Sequence, residues 1–322
     1  MKDRTSFFAA LSTLLLALVA SVHTAQAPEV VRTTYTFKKV QALHIRADVY
    51  RSAGDDIRPV VLWIHGGALI TGSRRGLNAA QAERYLHAGY AIVSIDYRLA
   101  PEAKIDLIIE DLVDAHRWVR TEGPKLFRID PDRVAIVGHS AGGYLALMAG
   151  FRLNPRPRAI VSFYGYGDIA GAWYSRPDPF YNQQPAVTKE EAYQLVGGPI
   201  IADYFGGPRG RFYLYTRQRG TWPVEVTGHD PDKAPRAFDA LCPVRNVTRD
   251  YPATLLLHGD ADTDVPFEQS ALMAKELEKH GVRHEFIPMN GRGHGFDSQM
   301  WEPAVSAAFD RVLTFLRERL TR

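Results

Sequence analysis

One short segment constrains the fold more than any other in this chain. An apolar, largely β-branched run at residues 133–137 leads into the sequence GHSAG at residues 138–142, and a helix-forming segment of small residues follows at 144–150. In a strand-turn-helix unit, a G-x-S-x-G sequence holds its serine in a strained, exposed turn, and the glycines leave room around it. We therefore predict such a unit here, with Ser140 as a nucleophile.

Apolar runs alternate with helical patterns along most of the chain. Besides 133–137, buried strands are predicted at residues 59–64, 91–95, 159–163, 253–257 and 284–288. Helices are predicted at residues 77–88, 268–280 and 302–320, and a longer one is predicted to end at Gly123-Pro124. This alternation is typical of a parallel sheet covered on both faces. Alternating polarity at residues 31–37 and 43–49 predicts an antiparallel pair at one edge.

Length and composition indicate one large domain. The chain has 322 residues, of which 46% are apolar, so it can bury a full core, and we predict a single α/β domain over residues 28–322. The net charge of +3 is small and the basic residues are scattered, so no nucleic-acid partner is expected. The single cysteine, Cys242, cannot form an internal disulfide and is predicted to be a buried side chain.

The first residues have the pattern of an export signal. Lys2 and Arg4 precede an apolar run at residues 7–20, and Ala25-Gln26-Ala27 fits a cleavage site. Removal of residues 1–27 would give a secreted or periplasmic protein without a stable membrane span. The alternative is a retained membrane anchor. The run is short for a span, but Pro28 directly after the proposed cut is unusual there and keeps this alternative open.

A serine nucleophile needs a base to take its proton. In hydrolases with this type of sheet, the acid and then the histidine lie on loops after late strands. His280 falls in the last turn of a predicted helix and His284 at the start of a predicted strand, both ordinary structural positions. His294 lies in a glycine-rich loop after the last strand, which predicts that His294 is the base.

The acid that orients the base is less clearly marked. Asp260, Asp262 and Asp264 share the loop after the strand at 253–257, and each could reach an imidazole. Asp297 could also lie nearby, but it follows the histidine and breaks the expected chain order. Spacing alone does not choose among them.

Backbone donors for a developing oxyanion are predicted beside the nucleophile. The strand at residues 59–64 ends in His65-Gly66-Gly67, and glycine lets backbone N–H groups approach a ligand closely. The N–H groups of Gly66, Gly67 and Ala141 are therefore the predicted oxyanion hole. A plain turn after the strand is the alternative for the two glycines.

Residues 170–250 form a predicted cap-like insertion over the carboxyl edge of the sheet, because periodicity fades there and the stretch is too long for a plain loop. Its aromatic side chains suit an aromatic acyl group or a sugar ring, although most are expected to pack the insertion itself. They are Trp173, Tyr174, Phe180, Tyr181, Tyr204, Phe205, Tyr213 and Trp222. Trp173 and Tyr174 are candidates for substrate contact, together with Ala68 and His139 from the two motifs.

The motifs taken together resemble a known superfamily. They are HGG at residues 65–67, DYRLAPE at 96–102, GHSAGG at 138–143, HG-x-x-D-x-x-VP at 258–266 and GHGF at 293–296. This set resembles the α/β-hydrolase superfamily, and within it the carboxylesterases near the hormone-sensitive-lipase group and the bacterial feruloyl and acetylxylan esterases. The likeness runs from about residue 40 to the end and excludes the insertion.

The resemblance carries implications for particular residues. It implies that Asp262 is the triad acid, with Asp264 as the remaining alternative, and that Arg98 braces the loop that carries Gly66 and Gly67. Ala68 stands where the family often has a third glycine, which predicts an altered acyl pocket.

These features predict a serine ester hydrolase with the catalytic residues Ser140, Asp262 and His294. It would act through an acyl-enzyme on small acyl or aromatic esters, either small molecules or esters linked to polysaccharides. No metal or other cofactor is expected, since the chemistry needs none and no histidine-cysteine ligand cluster is present in the sequence. One alternative is a peptidase resembling prolyl oligopeptidase, although this chain has no room for that family's propeller domain. The other is a catalytically silent binding module, against which the intact triad argues.

Overall fold

A central sheet of eight strands organises the computed structural model, which describes residues 29–205 and 207–321. The strands are β1 (Val30–Val40), β2 (Leu43–Ser52), β3 (Arg58–Ile64), β4 (Ala91–Ile95), β5 (Ile129–His139), β6 (Ala159–Phe163), β7 (Ala253–Gly259) and β8 (His284–Met289). Their order across the sheet is β1-β2-β4-β3-β5-β6-β7-β8. β1 and β2 are antiparallel to each other, β2 is antiparallel to β4, and all other neighbours are parallel. Both the parallel sheet and its antiparallel edge are confirmed.

Helices cover both faces of this sheet. They are α1 (Ala79–His87), α2 (Ile105–Phe127), α3 (Ala141–Arg152), α4 (Ala172–Ser175), α5 (Lys189–Tyr193), α6 (Gly210–Arg219), α7 (Trp222–Thr227), α8 (Glu268–Lys279) and α9 (Pro303–Leu320). Short 3-10 turns lie at Arg74–Gly76, Tyr181–Gln183, Pro235–Leu241, Pro243–Arg245 and Phe296–Ser298. Apolar residues of α2, α3 and α8 fill one core, and those of α1 and α9 fill the other.

Strand β3 illustrates why these apolar runs form buried strands. Val60 and Leu62 belong to the core under α2 and α3, whereas Val61 and Trp63 belong to the core under α1 and α9. Successive side chains of a strand point to opposite faces, so a strand covered on both sides must be apolar at nearly every position. This is the reason that β3 reads as a continuous apolar run rather than an alternating one.

The predicted stop of the long helix at Gly123-Pro124 is wrong. Helix α2 continues through Pro124 and ends at Phe127. The next residue, Arg128, caps the helix in a left-handed conformation with φ 53°. Proline removes one backbone hydrogen bond in the last turn, but packing compensates for it. The ring of Phe127 lies 5.4 Å from that of Trp118 and 6.0 Å from that of Tyr35, measured between ring centres.

The aromatic-rich insertion is folded into short helices rather than open loop. Helices α4 to α7 lie within it, and its buried residues join the core under α2 and α3. It also bonds to the loop after β3: the indole nitrogen of Trp222 donates to the carbonyl oxygen of Ala68 at 3.0 Å, and Gly72 and Tyr204 form a β-bridge. The insertion therefore sits beside the carboxyl ends of the strands.

The predicted export signal, residues 1–27, lies outside the described residues. Within the described ranges, none of the helices is both long enough and apolar enough to cross a membrane. The division of the chain into a signal and one domain starting at residue 28 stays a prediction.

Candidate active site

Ser140 occupies the turn between β5 and α3. Its backbone angles are φ 56° and ψ −119°, a conformation that a residue with a side chain adopts only under strain. The flanking glycines are required by the packing. A Cβ at Gly138 would lie 1.9 Å from the carbonyl oxygen of Gly142, and a Cβ at Gly142 would lie 2.1 Å from that of Ile64. The close approach of α3 to β3 and β5 therefore fixes the position of the serine.

A chain of hydrogen bonds links Ser140 to two residues on late loops. Nε2 of His294 lies 2.9 Å from Oγ of Ser140, and Nδ1 of His294 lies 2.7 Å from Oδ2 of Asp262. The N–H groups of Asp264 and Val265 donate to Oδ1 of Asp262 at 2.8 and 3.0 Å and orient the carboxylate. If Nδ1–H donates to Asp262, Nε2 is left to accept the hydroxyl proton of Ser140, and we assign this tautomer from the partners.

The other loop aspartates are connected differently. Oδ2 of Asp264 lies 3.4 Å from Nε2 of His294, on the side of the ring that faces the serine. Asp260 accepts the N–H of Gly291 at 2.5 Å. Asp262 is the carboxylate that contacts Nδ1, so the geometry agrees with the acid that the resemblance implied.

Charges around the imidazole shift its protonation. Burial by itself lowers the pKa of His294, but the hydrogen bond to Asp262 and the negative charges of Asp264 and Asp262 outweigh burial and raise that pKa. Burial favours a higher pKa for Asp262, yet its hydrogen bonds to His258 and His294 hold that pKa well below its usual range. An ionised carboxylate behind an imidazole of raised pKa suits a base that must take up a proton and hold it briefly.

The predicted oxyanion-hole residues lie on two segments that touch at Ser140. A Cβ on Gly66 would lie 3.2 Å from Cβ of Ser140 and 2.9 Å from the carbonyl oxygen of His139, so the loop after β3 touches the nucleophile turn. Gly67 has φ +107°, and a Cβ there would lie 2.2 Å from the carbonyl oxygen of Thr71. Ala141 is the first residue of α3, where backbone N–H groups have no partner within the helix.

Arg98 does not brace this loop, so that expectation is wrong. Its guanidinium donates to Asp111 through Nη2 at 2.7 Å and to the carbonyl oxygen of Leu107 at 2.8 Å. Both acceptors belong to α2, so Arg98 connects the segment after β4 to this helix. The neighbouring Tyr97 does contact the loop, since its hydroxyl donates to the carbonyl oxygen of His65 at 2.9 Å. The DYRLAPE motif therefore supports the loop through its tyrosine.

Arg209 is a second brace, and sequence reasoning missed it. This buried arginine donates through Nε to the carbonyl oxygen of Ile70 at 2.9 Å and through Nη2 to that of Ala100 at 2.7 Å. Its Nη2 also lies 2.7 Å from Oε2 of Glu102. No local pattern could have revealed this role, because Arg209 stands 139 residues after Ile70 in the chain.

A second histidine-aspartate pair lies behind the nucleophile. Nδ1 of His139 lies 2.7 Å from Oδ2 of Asp297, and the ring of His139 stacks on Phe163 with 4.5 Å between ring centres. The hydroxyl of Tyr164 and the amide of Gln81 also donate to Asp297. Although burial favours a higher pKa, the neighbouring His139 and these donors hold the pKa of Asp297 at about 2. Asp297 thus pairs with His139 and not with His294.

Ser140 lines a cavity of about 650 Å³. His139, Ala68 and three insertion aromatics line it, and the three are Tyr204, Phe205 and Tyr213. Trp173 and Tyr174 are not among its lining residues, which corrects their predicted place. Tyr174 is fully buried between two ring neighbours, 3.7 Å from Trp173 and 4.0 Å from Trp222 by ring centres.

Tyr164 is a further wall residue that sequence reasoning missed. It lines the cavity, has φ 39°, and places its ring 4.6 Å from that of His294. The sequence feature that could have identified Tyr164 is its position directly after the buried strand β6, at the same carboxyl edge as the other site residues.

In residues 29–205 and 207–321, no group of three or more histidine, cysteine, aspartate or glutamate side chains is arranged to hold a metal ion.

The fold and this site define an α/β-hydrolase. A family model named BD-FAE matches residues 47–277, so the chain belongs to the BD-FAE family of esterase-like hydrolase domains. The predicted resemblance and the fold class are thereby confirmed.

Solved structures share the fold. A protein of unknown function from Staphylococcus aureus subsp. aureus Mu50 superposes with a TM-score of 0.74 at 21% identity, over 90% of this chain and 100% of the other. EstE1, a thermophilic carboxylesterase from a metagenomic library, gives 0.67 at 23% identity, over 91% and 90%. Carboxyl esterase 2 from Tuber melanosporum gives 0.67 at 21% identity, over 92% and 90%.

The curated relatives are much longer proteins. The non-reducing polyketide synthase Preu6 of Preussia isomera is 28% identical over 87% of this chain and 14% of its own length. The 5-methylorsellinic acid synthase of Aspergillus terreus is 30% identical over 82% of this chain and 12% of its own length. The chain thus spans about one seventh of the length of such relatives.

Replacing Gly67 by alanine should damage the predicted oxyanion hole. The new Cβ would lie 2.2 Å from the carbonyl oxygen of Thr71, so the loop must move its N–H groups away from Ser140. We expect kcat for p-nitrophenyl acetate to fall by about two orders of magnitude. Gly197→Ala is the matched control, because Gly197 also has positive φ but a Cβ there meets nothing within 4 Å. Equal losses in both variants would contradict this role.

The raised pKa of His294 predicts that activity falls at acidic pH. His294 accepts a proton only when neutral, so kcat/KM should fall as the pH drops through its raised pKa. The midpoint should therefore lie above the ordinary histidine value of about 6.5. Initial rates at constant ionic strength from about pH 5 to about pH 9 measure it. A midpoint below the ordinary value would show that burial outweighs the carboxylates.

Proposed function

We propose that the chain is a serine hydrolase of carboxylic esters that works through an acyl-enzyme. The observation that carries this proposal is the hydrogen-bonded series Ser140, His294 and Asp262 at the wall of a cavity. A serine hydroxyl is a weak nucleophile until an oriented base accepts its proton. Both contacts fall within the distances that such proton transfer needs.

The first half of the reaction forms the acyl-enzyme. Oγ of Ser140 attacks the ester carbonyl carbon while Nε2 of His294 takes the hydroxyl proton, and the carbonyl oxygen becomes an oxyanion. In this proposal, the N–H groups of Gly66, Gly67 and Ala141 donate to that oxyanion. Collapse of the intermediate breaks the bond to the alcohol oxygen, which receives the proton from His294.

The second half returns the enzyme to its starting state. Water attacks the acyl carbon and gives its proton to His294. The second tetrahedral intermediate then releases the carboxylic acid, and Ser140 regains its proton from His294. Asp262 stays ionised throughout and holds the imidazole in its working orientation.

We infer that the substrate is an ester with a small acyl or an aromatic acyl group, either a small molecule or linked to a polysaccharide. The cavity of about 650 Å³ is within the usual range for small-molecule sites. Aromatic side chains in its wall, among them Phe205 and Tyr213, favour a planar acyl group over a long aliphatic chain.

Export is part of the same proposal. The charged start, the apolar run and the small residues at 25–27 favour removal of residues 1–27 and a secreted or periplasmic enzyme. Such a location would give the enzyme access to polysaccharide-linked esters.

Replacing Ser140 by alanine should abolish turnover. Losing a triad member usually removes about three or more orders of magnitude of rate, and a hydroxyl in an open cavity contributes little to stability. The measurement is p-nitrophenyl acetate hydrolysis together with thermal unfolding. Ser175→Ala is the control, because this hydroxyl bonds only locally, to the carbonyl oxygen of Gly171 at 3.0 Å. Activity of Ser140→Ala within tenfold of the parent would refute the mechanism.

The insertion should influence acyl selectivity through Phe205. This side chain is 67% exposed and lines the cavity, so Phe205→Ala removes aromatic contact area without opening the core. We expect the ratio of kcat/KM for a feruloyl ester to that for an acetyl ester to fall by about threefold to tenfold. Phe180→Ala, 42% exposed and outside the cavity lining, should keep the parent ratio. An unchanged ratio in both variants would remove the support for an aromatic substrate.

A further inference from the structure

Two carboxylates face the cavity. Asp264 and Asp297 line it, and none of the described lining residues is a lysine or an arginine. Arg75 lies nearby, 5.7 Å from the ring centre of the lining residue Phe205. Its guanidinium is paired with Asp203 at 2.9 Å, which partly offsets its positive charge.

Of these carboxylates, Asp297 is already fully engaged. Its oxygens receive hydrogen bonds from His139, Tyr164 and Gln81. The catalytic carboxylate of Asp262 is likewise occupied by His294 and two backbone N–H groups. Asp264 is therefore the carboxylate to consider as a contact for substrate.

The insertion holds Asp264 by one oxygen. Oδ1 accepts from the hydroxyls of Tyr181 at 2.8 Å and Tyr213 at 2.6 Å, and from Nη1 of Arg217 at 2.7 Å. Arg217 is itself buried and also pairs with Asp178 through Nη2 at 2.5 Å. Two aspartates share this one arginine, so the cluster keeps one net negative charge.

The second oxygen of Asp264 faces the reaction centre. Oδ2 lies 3.4 Å from Nε2 of His294, and among the described residues no other donor contacts it. In the proposed reaction, Nε2 of His294 passes a proton to the oxygen of the departing alcohol. Oδ2 of Asp264 therefore lies beside the place where the alcohol half of the ester must sit.

We propose that Asp264 determines specificity for the alcohol half of the substrate, favouring alcohols that carry a positive charge close to the ester oxygen and rejecting those that carry a carboxylate. This inference rests on the proposed esterase function. A cationic group would meet Oδ2 of Asp264 and the aromatic walls, both of which attract it. A carboxylate would meet like charge at short range, and none of the described lining residues is a lysine or an arginine that could offset it.

The test compares three acetate esters that differ in the charge of the alcohol. They are acetylcholine, its uncharged isostere 3,3-dimethylbutyl acetate, and acetoxyacetate, with acetate release measured at low ionic strength. We expect kcat/KM to decrease in that order, with at least about tenfold between the cationic and the anionic ester. Added salt should reduce this spread, because screening weakens charge selectivity.

Asp264→Asn then tests whether this residue is the cause. The substitution keeps the shape and most hydrogen bonds of the side chain but removes its charge, so the ratio between cationic and anionic esters should fall by about tenfold. A merely structural role would lower all three rates together and leave that ratio unchanged. Asp55→Asn, a charge removal at a side chain that is 91% exposed, is the control and should keep the parent ratio.

The outcomes separate the two proposals. A parent enzyme that hydrolyses the neutral ester but does not rank the three esters by charge would overturn the role of Asp264 while leaving the esterase function intact. The same holds if Asp264→Asn folds and keeps the parent ratio. A parent that hydrolyses none of these esters nor p-nitrophenyl acetate would overturn the proposed function itself. If Asp264→Asn does not fold, a parent that ranks the three esters by charge and loses the ranking in salt supports a carboxylate at this place, and a parent without the ranking overturns the proposal.

Discussion

The close approach of helix α3 to the ends of two strands is the constraint on which the site depends. Gly138 and Gly142 permit this approach, since a Cβ at either position would overlap a backbone carbonyl oxygen. The contact forces Ser140 into its strained turn and brings the loop after β3 against it. Because parallel strands end at one edge of the sheet, the loops after β7 and β8 reach the same point. Strain at the nucleophile is thus balanced by packing throughout the core.

Two buried arginines connect the insertion to the loops after β3 and β7. Arg209 bonds to carbonyl groups of the loop after β3 and of the segment before α2, and Arg217 bonds to Asp264 in the loop after β7. Each buried cation has carboxylate partners, Glu102 for Arg209 and Asp178 for Arg217, as burial of charge requires. The segment that shapes the cavity is therefore held to the same loops that carry the chemistry.

Local patterns predicted the strands, the helices and most of the site, because each of these elements has a characteristic pattern in adjacent residues. Contacts between distant segments have no such local pattern. Spacing could not separate Asp262 from Asp264, since the choice depends on which nitrogen of His294 each faces. Trp173 and Tyr174 were misplaced, and Arg209 was missed, because the packing of the insertion is set by its own tertiary contacts.

We propose that Ser140 is the nucleophile of this BD-FAE family chain. An organophosphate ester such as diethyl p-nitrophenyl phosphate forms a stable adduct with an activated serine, and peptide mass spectrometry of the inactivated enzyme locates that adduct. We expect one adduct per chain, on Ser140, appearing in step with the loss of esterase activity. Inactivation with the adduct on another residue, or full activity in enzyme modified at Ser140, would contradict it.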